Sequence, residues 1–120
     1  MSPVFDRSVL VQVQDLVEDG SDFLEELFAK YVLNADKTIR ALESGEPSDK
    51  KRRAAHSLRG ASLSIGAAGV AEACKRLERT LRNDADAELE GLVETLRLQV
   101  ERVRDRYPLE IERMTSRRSD

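Results

Sequence analysis

Apolar residues in this chain recur at spacings of three and four. They are interrupted at few places: Gly20, Gly45 with Pro47, the Gly60 to Gly69 stretch, Asn83 with Asp84, Gly91 and Pro108. Such spacing predicts long helices between those points. Val9, Leu10, Val13, Leu16 and Val17 mark a first short helix with Gly20 as its C-terminal cap. Its β-branched content and the VQVQ alternation leave a strand open as the other reading. Ser21 then offers an N-cap, with Asp22, Glu25 and Glu26 in the first turn, where the helix dipole favours negative charge. From Phe23 and Leu24 through Leu27, Phe28, Tyr31, Val32, Ala35 and Ile39 to Leu42 the helical spacing holds for about six turns, and Gly45 closes the segment. Ser48 caps a third helix through Ala54, Ala55, Leu58, Ala61, Ser62 and Ile65 to Gly66. A fourth runs from about Ala67 to Arg82, with Val70, Ala73, Cys74, Leu77 and Leu81 inward, and ends at the Asn83 to Asp86 turn. The fifth places Leu89, Leu92, Val93, Leu96, Val100, Val103 and Tyr107 on one stripe, and Pro108 is expected to end or kink it.

This pattern describes an all-α fold: an antiparallel up-and-down four-helix bundle with an additional short N-terminal helix. The expected organisation is one bundle over residues 1–110 and a charged, frayed tail over 111–120. The stripe of the fifth helix is too short to demand a coiled-coil partner, so a monomer is expected.

Composition narrows the chemistry. With 120 residues, the chain can bury a real core without disulfides. One cysteine and one histidine exclude a zinc site built from Cys and His within one chain, and also a Cys-His or di-histidine catalytic pair. Cys74, on an inward stripe, reads as a small core residue. No apolar run approaches a membrane span, and the N-terminus lacks the basic start and unbroken apolar stretch of a secretory signal, so a cytoplasmic location is expected. The start methionine, full helix set and polar tail favour a free-standing protein over a domain cut from a longer chain.

The single histidine is placed unusually. At 100° per residue, His56 falls roughly 160° from the centre of the apolar sector of the third helix, so its imidazole points at solvent. Arg52, Arg53, Arg59, Gly60 and Leu63 share that outer face. A glycine inside a helix costs about 1 kcal/mol relative to alanine, and core packing cannot explain one on an exposed face. The absence of bulk at Gly60 leaves room beside the imidazole for a bound group or a partner surface. Arg52 and Arg59 place guanidinium groups within reach of the ring, suited to paired hydrogen bonds with a phosphate or a carboxylate. Leu63 is an exposed apolar residue, as expected of an interface anchor.

The run Ala55-His56-Ser57-Leu58-Arg59-Gly60-Ala61-Ser62-Leu63-Ser64-Ile65-Gly66-Ala67 resembles the signature of histidine-containing phosphotransfer (Hpt) domains. That signature has a histidine, leucine at +2, a basic residue at +3, glycine at +4, a small residue at +6 and glycine at +10. Ala71, Cys74, Leu77 and Glu78 look like that family's next helix, and Phe23 to Phe28 like its preceding one, so the resemblance covers roughly residues 8–107. Arg59 stands where the family more often has lysine.

The resemblance implies a phosphorelay intermediate in two-component signalling, a phosphocarrier with no kinase activity of its own. His56 would accept a phosphoryl group from a receiver-domain aspartate and pass it to another response-regulator receiver, with Arg59 and Gly60 forming the phosphate and ring environment. Arg52, Arg53 and Leu63 would take part in receiver docking. The implied partners are receiver domains and a (hybrid) sensor histidine kinase. No cofactor or metal is expected on this chain, and Mg²⁺ is expected on the receiver.

The charge distribution fits an acidic partner. The net charge is -3, yet from Lys50 to Arg82 nine basic residues face only Glu72 and Glu78. With no aromatic residues interleaved, the basic positions do not read as a nucleic-acid groove. The main alternative is a helical adaptor that binds receiver or kinase domains through the same patch without phosphotransfer. A weaker one is a basic-faced module that contacts nucleic acid or an acidic protein.

Overall fold

The computed structural model describes residues 4–15, 20–83 and 86–118. They form five helices: α1 (Arg7–Asp15), α2 (Gly20–Glu43), α3 (Ser48–Ile65), α4 (Ala68–Arg82) and α5 (Asp86–Arg118). Helices α2 to α5 close a ring, each packed on the next and α5 back on α2, while α1 lies against α3. This is the four-helix bundle with a short N-terminal helix that the spacing predicts. Among the described residues no helix is long and apolar enough to cross a membrane.

The apolar stripes meet in one core. Leu24, Phe28, Ala35, Leu58, Val70, Leu77, Leu96 and Val103 are fully buried, and Cys74 lies among them. On α3 the buried residues are Ala55, Leu58, Ser62 and Ile65, with Ala54 and Ala61, the other members of the inward sector read from the sequence, half-buried at its edges. Ser62 is a polar member of that core, and its hydrogen bonds are complete. Its Oγ donates to the Leu58 carbonyl at 2.7 Å, which leaves the Tyr31 hydroxyl as the donor in the contact between Tyr31 and Ser62. Burial pushes the Tyr31 phenol well above its ordinary range, against the opposing effect of the Ser62 hydrogen bond.

Helix boundaries differ from expectation in two ways. Residues read as caps are already helical: α2 begins at Gly20, so Gly20 does not cap α1 from outside and Ser21 lies within α2, and α3 begins at Ser48, with Pro47 at its cap position and no side-chain cap hydrogen bond. Leu16 and Val17 of the first predicted stripe, and Asp84 and Ala85 of the turn after α4, lie outside the described residues. The segment left open between strand and helix is α1, which starts after Asp6. The Asp6 carboxylate accepts from the Ser8 N–H at 3.0 Å and the Ser8 hydroxyl at 2.6 Å, and these bonds hold its pKa below the usual carboxylate range.

The second difference is at Pro108. The sequence predicts a stop or kink there, yet α5 continues to Arg118. The ring removes one backbone donor, but Pro108 is exposed, so the carbonyl one turn earlier faces water and not apolar core. Tertiary packing holds what the local rule would end. Tyr107 stacks on Phe28 with ring centroids 5.3 Å apart, Phe5 meets Phe28 edge-on at 6.0 Å, and Ile111 is buried. The packed region therefore reaches into the segment expected to be a frayed tail. At about 1.5 Å per residue, the 33 residues of α5 account for most of the 52 Å long axis of the molecule.

Gly66 ends α3 in the left-handed region at φ 77°, and the Ala67 N–H returns to the Ser62 carbonyl at 2.8 Å. A Cβ at Gly66 would also lie 2.9 Å from the Asp6 carbonyl oxygen, and the Asp6 N–H donates to the Gly66 carbonyl at 2.7 Å. The N-terminal segment thus clamps the turn between α3 and α4. On the opposite side, Arg104 Nη2 contacts both Asp36 oxygens at 2.9 and 3.0 Å, and Arg97 reaches Glu43 at 2.8 Å, linking α2 to α5.

Two measurements test this packing. Ile111→Ala should cost about 2–5 kcal/mol in urea unfolding, the range for truncating a buried Ile; an unchanged midpoint would mean that the helix beyond Pro108 is not packed. Burial, assisted by the Glu78 charge and opposed by Arg59, pushes the Cys74 thiol from 9.0 up to about 12. The folded pKa is raised, so the stability contribution is full below the unfolded value and is lost as pH rises through the folded one. Between pH 9 and 12 stability should fall by up to about 1.4 kcal/mol per pH unit from this group. Cys74→Ala should flatten that slope; an identical slope would assign the alkaline loss elsewhere.

Candidate functional site

Helices α3 and α4 form the most extensive helix pair of the bundle. Small residues at buried positions on both, Ala55 and Ser62 on α3 and Gly69, Ala71, Ala73 and Cys74 on α4, allow their axes to approach closely. That approach brings a side chain from the edge of the α4 core stripe against the outward face of α3.

His56 sits on that face with 66% of its side chain exposed, as its angular position predicts. It does not stand alone. Its Nδ1 lies 2.7 Å from Oε1 of Glu78, a residue of α4 whose side chain is only 6% exposed. A carboxylate only accepts hydrogen bonds, so Nδ1 carries the proton and donates. The neutral ring is thereby held as the Nδ1–H tautomer, with the Nε2 lone pair on the other side of the ring. Arg59 completes a triad, its Nη1 3.1 Å from Glu78 Oε2. That contact is off-axis, and Oε2 has no aligned hydrogen-bond donor. Arg59 Nη2 also lies 3.5 Å from Nδ1, but a nitrogen that already donates to Glu78 cannot accept, so this is proximity and not a hydrogen bond.

Arg59 is therefore engaged with Glu78 on the Nδ1 side of the ring. Arg52 and Arg53 both turn back one helical turn to Asp49, at 3.0 and 3.2 Å, and hold the Asp49 carboxyl below its usual range, the Arg52 hydrogen bond being the larger cause. Gly60 is exposed, and a Cβ built there would meet nothing within 4 Å, so the fold itself does not require glycine at this position. Leu63 is 58% exposed, two turns along α3 from His56. Between α3 and α4 runs an open groove of about 370 Å³, lined by Arg52, Arg53 and Arg59 from one helix and Lys75, Arg79 and Arg82 from the other, with His56 and Glu78 between them. Leu63 lies outside it. Among the described residues no group of three or more His, Cys, Asp or Glu side chains is placed to hold a metal ion.

Glu78 is the site residue that the sequence reading did not single out. The available signal was its register: it falls one turn after Cys74 and three residues before Leu81, which puts a carboxylate on the buried stripe. A buried carboxylate is costly, and an apolar residue of similar size is often as stable or more so, so its presence points to a role other than stability.

The Hpt domain family matches residues 12–106. Among solved structures, the chain is similar to histidine-containing phosphotransfer protein B from Pseudomonas aeruginosa PAO1, at 29% identity over 92% of this chain and 96% of the other, with a TM-score of 0.80. A putative histidine-containing phosphotransfer protein from rice shares the fold at 22% identity, covering 93% and 85% of the two chains, with a TM-score of 0.79. A histidine-containing phosphotransfer protein from maize does so at 24%, covering 93% and 87%, with a TM-score of 0.78. No sequence match was found among curated proteins. The family match spans most of the helical bundle and includes the whole of α3 and α4, and on that basis the chain belongs to the Hpt domain family, the phosphotransfer proteins of phosphorelays, which carry phosphoryl groups and are not autonomous kinases.

Proposed function

We propose that His56 is the phosphoacceptor and that it relays a phosphoryl group between aspartates of receiver domains. The observation that carries this reading is the 2.7 Å contact between Nδ1 and buried Glu78 beneath a mostly exposed imidazole. A surface histidine without a function needs no such partner.

In the proposed step the Nε2 lone pair attacks the phosphorus of a receiver's aspartyl phosphate. The N–P bond forms, the P–O bond to the aspartate breaks, and its electron pair leaves with the carboxylate. The proton stays on Nδ1. The phosphorylated ring carries a positive charge, which the Glu78 carboxylate stabilises at hydrogen-bond distance. Transfer to a second receiver reverses the same bonds, so the site itself is neutral as to direction. Phosphoryl transfer is chiefly a matter of position and charge, which suits a carrier that supplies one fixed nitrogen while the receiver supplies the Mg²⁺ and the acidic pocket. The open space at Gly60 admits the receiver surface one turn from His56. Arg59, at the Nδ1 edge, offsets the charge of Glu78.

Incubation with a phosphorylated receiver should place acid-labile, alkali-stable phosphate on the wild-type chain and none on His56→Gln. Label that persists in the variant would remove His56 from the role, and absence of label on wild type with every receiver of the source organism would leave a binding adaptor. Glu78→Gln keeps the shape and removes the charge. It should slow transfer on the order of tenfold while leaving thermal stability equal or higher. Long-range proton–nitrogen correlation spectra should show the His56 Nδ1–H tautomer in the wild type and a mixture in Glu78→Gln. A wild-type ring protonated on Nε2 would contradict the assignment.

A further inference from the structure

The inner stripe of α5 is taken up by the core, but the outer face of this helix is patterned as well. Leu98 and Leu109 are 47% and 48% exposed. At 100° per residue they fall within about 20° of each other, three turns or about 16.5 Å apart. Gly91 continues the same line seven residues before Leu98. Among the described residues no other helix carries two exposed large apolar side chains on one line. Gly91 is exposed, and a Cβ there would meet nothing within 4 Å, so the packing of one chain does not call for a glycine inside this helix. The charges beside the ridge are sorted by sign. Glu101, Asp105 and Glu112 lie about 30–70° to one side of it, and Arg102, Arg106 and Arg113 about 30–70° to the other. Sorting sets like charges at i,i+4, Glu101 with Asp105 and Arg102 with Arg106, which costs a lone helix stability. Among the described residues these four form no ion pair, although Arg97, Arg104 and Arg113 of the same helix all do.

We infer that the outer face of α5 is a self-association surface, on which a second copy of this chain docks with its α5 parallel to the first. A two-fold axis running along the helix pair sets the acidic edge of each copy against the basic edge of the other. At equal height Glu101 meets Arg102 of the second copy, Asp105 meets Arg106 and Glu112 meets Arg113, each pair offset by one residue, or about 1.5 Å. The symmetry makes every such pair twice, so the charges that repel within one helix gain opposite partners across the interface. Leu98 and Leu109 meet their own counterparts on the axis, and Gly91 lets the two backbones approach where the contact begins. An antiparallel pair is disfavoured, because a two-fold axis across the helices sets acidic edge on acidic edge and basic on basic. A foreign helix would need the same sorted pattern, whereas a second copy has it by construction. The ridge also lies away from His56, since α5 packs on α2 and α4 and faces outward on the side opposite α3. A dimer formed this way leaves both imidazoles open.

Sedimentation equilibrium of the full chain from about 10 μM to about 1 mM tests this directly. The weight-average mass should rise from the 13.5 kDa of one chain toward twice that value. R102E/R106E makes both edges acidic and E101R/D105R makes both basic, and each should raise the dimer dissociation constant by about tenfold or more. Mixing the two variants should restore association, because each then offers the other two edges of opposite sign. Gly91→Leu should weaken the wild-type dimer, and Lys37→Glu, on the exposed face of α2, should leave it within about twofold. Orientation is read by oxidation, for which the native thiol of Cys74 is buried and does not compete. Leu98→Cys should link to itself across the parallel pair, whereas an antiparallel pair links Leu98→Cys to Leu109→Cys. The inference is overturned if the wild type stays monomeric at about 1 mM, if the charge variants associate as the wild type does or fail to associate when mixed, or if Leu98→Cys links only to Leu109→Cys.

Discussion

The hydrogen bond from His56 Nδ1 to Glu78 joins α3 and α4, the two helices that carry the proposed phosphoacceptor site. For it to form, a residue of the α4 core stripe must reach the outward face of α3, which is possible only where the two helices pack closely. The small buried residues on α3 and α4, the left-handed turn at Gly66 and the clamp made by Asp6 all serve that approach. The remainder of the bundle supplies the burial that holds α3 and α4 in place.

A buried carboxylate next to an exposed imidazole also divides the ring into two functional edges. The Nδ1 edge is occupied by Glu78 and Arg59, and the Nε2 edge is left to whatever approaches from outside. Stability alone would not select this arrangement, since Oε2 of Glu78 lacks an aligned donor and the surrounding charges are mostly of one sign. The cost is tolerable in a fold whose core runs without interruption from Phe5 to Ile111.

Much of this was legible in the sequence, because helical periodicity and burial are the same fact seen at two levels. The inward sector of α3 was legible at Ala55, Leu58, Ser62 and Ile65, and His56 followed as the position opposite it. The misses have particular causes. Pro108 was read by its local effect, whereas Tyr107 stacks on Phe28, about 80 positions away, and neither that contact nor the burial of Ile111 leaves a local trace. Gly20 and Ser21 look like cap residues by type, but α2 begins at the glycine. Glu78 was quoted only as part of a resemblance, because a charged residue flanking an apolar stripe ordinarily turns to solvent. The phase of the stripe puts it on the flank, where either direction is possible, and the close approach of α3 decides that it is covered. The basic positions of α3 and α4 were visible as a count, but their convergence on one groove needed the helix pair.

The clamp at Gly66 gives α3 the character of a ruler. From that fixed end to His56 are ten residues, about 15 Å along the axis, and each residue turns the helix by about 100°. Lengthening the chain at the exposed Gly45 turn leaves this count alone. Loss or gain of one residue between Ser57 and Ile65 would swing the imidazole a quarter turn or more away from Glu78 while leaving composition and charge almost unchanged. The proposed chemistry is in this sense written as a distance counted from a turn, and mutations that change the count are more damaging to it than those that change most single side chains along it.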